Sequence, residues 1–354
     1  MRSLDPVATL QNLLDRHATV AASELVRTEG KRVVCLACGH RCQLSDGARG
    51  ICKVRWAEAG LLRVPSGYVA GIAVDPIEKK PFFHVDPGSD ALSFGTLGCD
   101  LHCGYCQNWD TSQSLRDRDA SGLPHAMTAS EIIEVATARD CSTVVSTYNE
   151  PLITAEWSHE VFSLAKERGL RTGFVSNGNA TPEVLDWLRP VMDLYKVDLK
   201  SFRDKSYRSL GCPLQNVLDG ITMVHERGLW LEVVTLIVPD FNDSDAELAD
   251  IARFLVDLSP DIPWHVTAFH PDYKMRDRGW TQAETLCRAR EIGVEAGLNH
   301  VYAGNIPGAV PGAEDTHCAG CGVVLIARTG YDVRIVTLEG NECRACGTVL
   351  PGVF

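Results

Sequence analysis

Cys99, Cys103 and Cys106 lie on one short stretch, Phe94-Gly95-Thr96-Leu97-Gly98-Cys99-Asp100-Leu101-His102-Cys103-Gly104-Tyr105-Cys106, with C-x3-C-x2-C spacing. Three thiolates this close in sequence can each take one iron of a cubane, and because a cubane has four irons, one stays open. An open coordination position separates a catalytic metal site from a closed structural one. A zinc ion with these three thiolates and a distant fourth ligand is the alternative. Two further cysteine groups flank the trio. Cys318-Ala319-Gly320-Cys321 and Cys343-Arg344-Ala345-Cys346 are C-x2-C knuckles, each followed by a glycine, Gly322 or Gly347. They read as a structural zinc site of the ribbon kind, with another iron–sulfur cluster as the alternative. Cys35, Cys38, Cys42 and Cys52, spaced C-x2-C-x3-C-x9-C, would close a tetrahedral site. Zinc and an auxiliary cluster both accept four thiolates, and His40 can replace one ligand. Cys141, Cys212 and Cys287 stand alone and read as buried free thiols.

The trio needs a rigid frame. From residue 91 onward, short apolar β-type runs at 92–96, 143–147, 172–176, 194–199, 229–238 and 264–269 alternate with amphipathic helical patterns at 128–140, 152–168, 181–192, 214–227, 244–258 and 281–296. A hydroxyl with glutamate three residues on marks helix starts at Thr128/Glu131, Ser244/Glu247 and Thr281/Glu284, and Thr181-Pro182 marks a fourth. Such alternation predicts an α/β fold with parallel strands, and six units suggest a partial (β/α)6 barrel with its site at the C-terminal strand ends. An N-terminal helix within 3–28, with Leu10, Leu13 and Leu14 at helical spacing, precedes a strand-like run at 62–74. The chain thus divides into an N-terminal helix (1–30), a four-Cys segment with pre-barrel strands (31–90), a barrel (91–305) and a zinc-ribbon-like domain (306–354). The last follows a Gly/Pro-rich linker, Ile306-Pro307-Gly308-Ala309-Val310-Pro311-Gly312, with strands expected at 323–327 and 333–338.

The formal net charge of −12 disfavours a nucleic-acid or anionic-membrane surface, which needs a basic face. No apolar run approaches the roughly 20 residues that span a bilayer. Met1-Arg2-Ser3-Leu4-Asp5-Pro6 offers neither an apolar signal core nor a small-residue cleavage site, so a cytoplasmic setting is expected. There, fourteen cysteines stay reduced and their clusters serve metals.

The strand followed by C-x3-C-x2-C resembles the radical S-adenosylmethionine superfamily. The resemblance implies a [4Fe–4S] cluster on Cys99, Cys103 and Cys106 whose fourth iron is chelated by S-adenosylmethionine, which is reductively cleaved to a 5′-deoxyadenosyl radical. It also implies that Tyr105 flanks the adenine. Thr147-Tyr148-Asn149-Glu150-Pro151 occupies the place of the superfamily's Gly-Gly-Glu-Pro segment, with Glu150 and Asn149 toward the cofactor's amino group. Tyr148-Asn149 departs from the two glycines, which puts close backbone approach in doubt. Ser176-Asn177-Gly178-Asn179 is similar to the family's polar turn near ribose and methionine. Asp198-Leu199-Lys200 resembles the Asp-x-Lys pair of glycyl-radical-activating enzymes, with Lys200 toward the carboxylate, and His270 resembles their ribose-contacting histidine. Taken singly, an Asp and Lys two apart in a strand can be a solvated ion pair. Tyr148, His84 and Cys212 are further pocket candidates without an assigned role.

Residues 35–354 resemble the AmmeMemoRadiSam-system radical enzymes, relatives of pyruvate formate-lyase activating enzymes. The carrying segments are Ala73-Val74-Asp75-Pro76-Ile77-Glu78-Lys79-Lys80-Pro81, Cys106-Gln107-Asn108-Trp109 and Gly304-Asn305-Ile306-Pro307-Gly308, together with the C-terminal knuckles. The resemblance implies Memo-like and AMMECR-like partners and a reductant such as flavodoxin or ferredoxin. Radical modification of a protein or small molecule is the first functional expectation and activation of a glycyl-radical enzyme the second. A non-enzymatic electron carrier or scaffold, which would not cleave S-adenosylmethionine, is the third.

Overall fold

Runs such as Thr143-Val144-Val145-Ser146 and Trp264-His265-Val266-Thr267-Ala268 are buried along their whole length, as strands covered on both faces must be. The computed structural model describes residues 6–354 of the chain. Its central sheet contains eight strands: β1 (Gly71–Pro76), β2 (Asp90–Gly95), β3 (Thr143–Ser146), β4 (Arg171–Ser176), β5 (Leu194–Asp198), β6 (Trp230–Ile237), β7 (Trp264–Ala268) and β8 (Val301–Gly304). They pair strictly in chain order. β2 to β8 are parallel, and β1 lies antiparallel to β2 at one edge. Because the order never reverses, the sheet is wound in one direction, unlike a doubly wound sheet with its switch point. The edges β1 and β8 do not pair with each other, so the sheet is open.

Each connection between parallel strands carries one of α1 (Ala129–Ala138), α2 (Ala155–Glu167), α3 (Pro182–Leu188), α4 (Leu214–Glu226), α5 (Asp245–Leu258) and α6 (Ala283–Ala296), and the first and fourth connections add the short helices Trp109–Ser112 and Asp204–Leu210. α1 buries Ala129, Ile132, Ile133 and Ala136, and α5 buries Leu248, Ile251, Ala252 and Leu255, each at the i, i+3, i+4, i+7 spacing of one helical face. The Thr128/Glu131 capping box forms, and Thr181 caps α3 by accepting from the Val184 amide.

The other two expected caps fail because their side chains are recruited elsewhere. Buried Glu247 accepts from the Ser201 hydroxyl, the Phe202 amide and Arg203. Thr281 donates to the Ile237 carbonyl and accepts from the Phe269 amide, leaving Gln282 as the α6 N-cap. The six expected parallel strands are present, joined by β8, which was not foreseen.

The N-terminal helix is shorter than expected. It spans Pro6–Leu14, after which strand Ala18–Val20 pairs with Leu61–Pro65; residues 3–5 of the expected helix lie outside the described residues. The run at 62–74 is broken by Ser66-Gly67 into Leu61–Pro65, Tyr68–Val69 and β1. At the C-terminus, Thr316–His317, Val324–Thr329 and Asp332–Ile335 form a three-stranded antiparallel sheet. Among the described residues, no helix is long and apolar enough to cross a membrane.

Candidate functional site

The C-terminal ends of β2 to β7, with Asn305 after β8, line a cavity of about 400 Å³, within the range of small-molecule sites. Cys99, Cys103, Tyr105 and Cys106 enter it from the loop after β2, Asn149 and Glu150 from the segment after β3, Asn177 from the end of β4, and Asp198 and Lys200 from the end of β5. All nine were expected in the site. His270 was also expected there but is not among the residues lining the cavity; its ring lies tilted against Trp280 at 5.5 Å. Tyr148 lines the cavity, whereas Cys212 is buried outside it. His84 is also outside, hydrogen bonded to Tyr302 Oη and the Pro351 carbonyl.

The cysteine loop turns at Gly98, φ +90°, where a Cβ would come within 2.9 Å of Val54 Cγ1 and 3.0 Å of the Cys52 carbonyl. Asn149 clamps this turn: its Oδ1 accepts from the Thr96 amide, and its Nδ2 donates to Thr96 Oγ1 and the Gly98 carbonyl. Its amide thereby positions the loop, and its oxygen keeps one acceptor position. Tyr148 takes φ +70°, a conformation costly for an aromatic residue. Its hydroxyl bonds Ser93 Oγ at 2.9 Å and Lys80 Nζ sits 5.2 Å from its ring centroid, contacts that hold it there.

Glu150 is nearly fully buried. Its carboxylate accepts from Ser176 Oγ at 2.7 Å and from the amides of Asn177 and Leu152 at 2.7 and 3.0 Å. Three of about four acceptor positions are filled, leaving room for one more donor. Burial, followed by the charge of Asp100, pushes its carboxyl up to about 8. Asp198 is bracketed by Lys196 and by Lys200, the latter at 3.2 Å. Burial alone would raise its carboxyl, but the two ammonium charges hold it at about 2. Tyr105 is buried edge-on against Phe241.

Sequence reasoning missed Asp100 and Lys196. Asp100 is fully buried and is held by Asn177 Nδ2 at 2.7 Å and Asn179 Nδ2 at 2.8 Å. An acid inside a cysteine loop, next to groups that become anionic, was a usable signal. Lys196 was legible in the strand period, which puts 196, 198 and 200 on one face.

The donor chemistry fits a cluster better than one ion. Burial pushes the Cys99 and Cys103 thiols up, Cys103 to about 12, so metal must drive their ionisation. Among the described residues, the only group of His, Cys, Asp or Glu side chains with ligand atoms all within 4.8 Å of one another is Cys318, Cys321, Cys343 and Cys346. The trio at 99–106 is more widely spread, as thiolates on separate irons are. In the C-terminal group, Sγ–Sγ separations of 3.5 Å (Cys318–Cys346) and 3.8 Å (Cys321–Cys343) match four ligands around one ion.

The model of the radical SAM superfamily matches residues 94–255, from the end of β2 into α5. Uncharacterized protein MJ0808 of Methanocaldococcus jannaschii is 37% identical over 326 residues, covering 91% of this chain and 96% of the relative. A pyruvate formate-lyase-activating enzyme of Clostridium pasteurianum is 24% identical over 198 residues, covering 51% of this chain and 80% of that enzyme. Among solved structures, a radical SAM methyltransferase from Sphaerobacter thermophilus aligns with a TM-score of 0.50 at 16% identity, over 85% of this chain and 84% of that one, a likeness of fold.

Proposed function

Since the chain belongs to the radical SAM superfamily and is an S-adenosylmethionine-dependent enzyme, we propose that it abstracts hydrogen from a protein or small-molecule substrate. Cys99, Cys103 and Cys106 would hold a [4Fe–4S] cluster, which when bound and reduced would supply the electron for cleavage of S-adenosylmethionine to methionine and a 5′-deoxyadenosyl radical. Three thiols, a buried carboxylate and a lysine–aspartate pair share one cavity, and that juxtaposition carries the proposal. Glu150 offers its remaining acceptor position to the cofactor's ammonium group. Lys200, oriented by Asp198, would face its carboxylate, and Tyr105 and Asn177 would flank adenine and ribose. Anaerobic reconstitution with iron, sulfide, S-adenosylmethionine and reductant should yield 5′-deoxyadenosine. The triple variant Cys99→Ala/Cys103→Ala/Cys106→Ala should yield none. A trio that retains only zinc under these conditions overturns the proposal.

Finer features follow from the same arrangement. The segments that resemble AmmeMemoRadiSam-system enzymes contribute Lys79, Lys80, Pro81, Gln107, Asn108 and Asn305 to the cavity wall, which supports placement in that group with Memo-like or AMMECR-like partners. Mass spectrometry of those partners after turnover tests this. Unchanged partner masses alongside a modified metabolite exclude a protein target. The C-terminal four-Cys group holds zinc on its single-ion spacing.

A second reading, activation of a glycyl-radical enzyme, is supported by the Asp198–Lys200 contact at the end of β5. It predicts a glycyl doublet in the electron paramagnetic resonance spectrum of a partner enzyme after turnover. Absence of the doublet across candidate partners excludes it.

A further inference from the structure

We infer that Cys35, Cys38, Cys42 and Cys52 hold a second [4Fe–4S] cluster rather than zinc. The four thiols occur on two adjoining loops and none is oxidised to a disulfide. The Cys35 amide donates to the Cys42 carbonyl at 3.0 Å, closing the first loop, and the Ile51 amide donates to Cys42 Sγ at 3.5 Å, joining that loop to the second. Cys35, Cys38 and Cys52 are buried and Cys42 is half-buried. Four free thiols gathered on adjoining loops without a disulfide are a ligand set for a metal.

The spacing of the sulfurs decides which metal. A single zinc holds its thiolates at about 2.3 Å, so all four sulfurs must crowd together. The C-terminal group meets that demand within 4.8 Å, and the N-terminal group does not. A cubane attaches each thiolate to a different corner iron, which spreads the sulfurs over a larger body. The two groups also differ in exposure. Cys321 and Cys346 face solvent, which a redox-inert ion tolerates, whereas three of the four N-terminal thiols are enclosed, the shielding an iron–sulfur centre requires.

This centre is built onto the catalytic loop. Arg116 donates to the Leu101 carbonyl at 3.2 Å and to the Ile51 carbonyl at 2.6 Å, tying the residue before Cys52 to the loop of Cys99 and Cys103. On the other side, His40 Nε2 lies 3.2 Å from the Asp100 carbonyl, and the Gly39 amide donates to the Asn179 carbonyl. Both cysteine sets therefore belong to one hydrogen-bonded block.

The test leaves the N-terminal ligands intact, so it does not depend on how their loss affects folding. Wild-type protein and the Cys99→Ala/Cys103→Ala/Cys106→Ala variant are reconstituted anaerobically with iron and sulfide, and iron, sulfide and zinc are counted. The expected result is about eight irons per chain in wild type and about four in the variant, which on reduction shows a cluster signal by electron paramagnetic resonance. Adding Cys321→Ser/Cys346→Ser to the variant should leave that iron in place. About two zinc ions and no iron in the triple variant overturn the inference, as does iron that disappears with Cys321→Ser/Cys346→Ser. Failure of the catalytic-site proposal is separately visible as about four irons in both wild type and triple variant.

Discussion

Asp100 and Glu150 are joined through one residue: Asn177 donates its side-chain amide to Asp100 Oδ1 and its backbone amide to Glu150 Oε2, each at 2.7 Å. One acid belongs to the cysteine loop after β2 and the other to the segment after β3. The turn at the end of β4 thus fixes the metal loop and the candidate cofactor carboxylate in one register. Burial raises the Glu150 carboxyl, and the charge of Asp100 on the neighbouring loop raises it further.

Replacing Asn177 tests the clamp. Asn177→Ala leaves an oxygen of fully buried Asp100 without its amide donor, and losing a donor to a buried charged group costs about 1–3 kcal/mol. Asn179 retains the other oxygen, so the fold should survive with a melting temperature several degrees lower. Iron bound at the trio should fall more steeply than stability does. Unchanged iron content and melting temperature would show that Asn177 is not a clamp.

The pH dependence of Glu150 has a definite sign. Its folded value, about 8, lies above its ordinary 4.5, so it stabilises the metal-free fold fully below about 4.5, and that contribution is lost as pH rises through about 8. Denaturant titrations of metal-free protein should lose up to about 1.4 kcal/mol per pH unit across that window, and Glu150→Gln should flatten the slope. An ammonium ligand prefers the ionised carboxylate, so binding of S-adenosylmethionine should tighten as pH climbs toward 8 in wild type but not in the variant. Parallel profiles for the two proteins would remove Glu150 from ammonium recognition.

Local features of the site were readable and non-local ones were not. Cysteine spacing is covalent, and the Thr128/Glu131 box and the buried face of α1 need only one turn of chain. Ser244/Glu247 has the same local signature but loses its glutamate to Ser201, Phe202 and Arg203, more than forty residues away in sequence. β8 spans four residues, too few to show a period. His270 was placed by resemblance to a ribose-contacting histidine, but its ring lies against Trp280 and it does not line the cavity. The partners of Asp100, Asn177 and Asn179, come from more than seventy residues away in sequence, so only the cysteine spacing around it was local, whereas Lys196 and Asp198 are neighbours on one strand face.

Asp198 sits between two lysines that are buried or nearly so, and its carboxylate keeps a third of its surface exposed. Asp198→Asn strands the Lys196 ammonium, 5% exposed, without a counter-charge. Stranding a fully buried charge costs about 3–5 kcal/mol, whereas an exposed pair contributes under about 1 kcal/mol, so about 2 kcal/mol is expected by denaturant titration. Lys196→Met in the Asp198→Asn background should recover part of the loss, because it removes the stranded ammonium. A double variant no more stable than Asp198→Asn would show that Lys196 does not need Asp198.

Glu232 lies fully buried in β6, away from the cavity, and organises the other end of the molecule. Its carboxylate accepts from the amides of Phe83 and His84 at 3.0 and 2.9 Å, from Trp230 Nε1 at 3.0 Å and from His265 Nε2 at 2.7 Å. His84 in turn carries the Pro351 carbonyl, so the carboxylate anchors the C-terminal tail at one remove. Burial alone would raise the Glu232 carboxyl, but the His265 hydrogen bond and charge, with smaller contributions from His84 and Trp230, hold it at about 2. A value depressed from 4.5 stabilises the fold above about 4.5, and that contribution is lost as pH falls through about 2. Glu232→Gln should cost about 3 kcal/mol at neutral pH, since an amide cannot accept from four donors, and should flatten the stability profile on the acid side. Limited proteolysis should then cut the tail beyond residue 305 faster than in wild type. A variant with wild-type stability and wild-type cleavage would mean that the tail docks without this carboxylate.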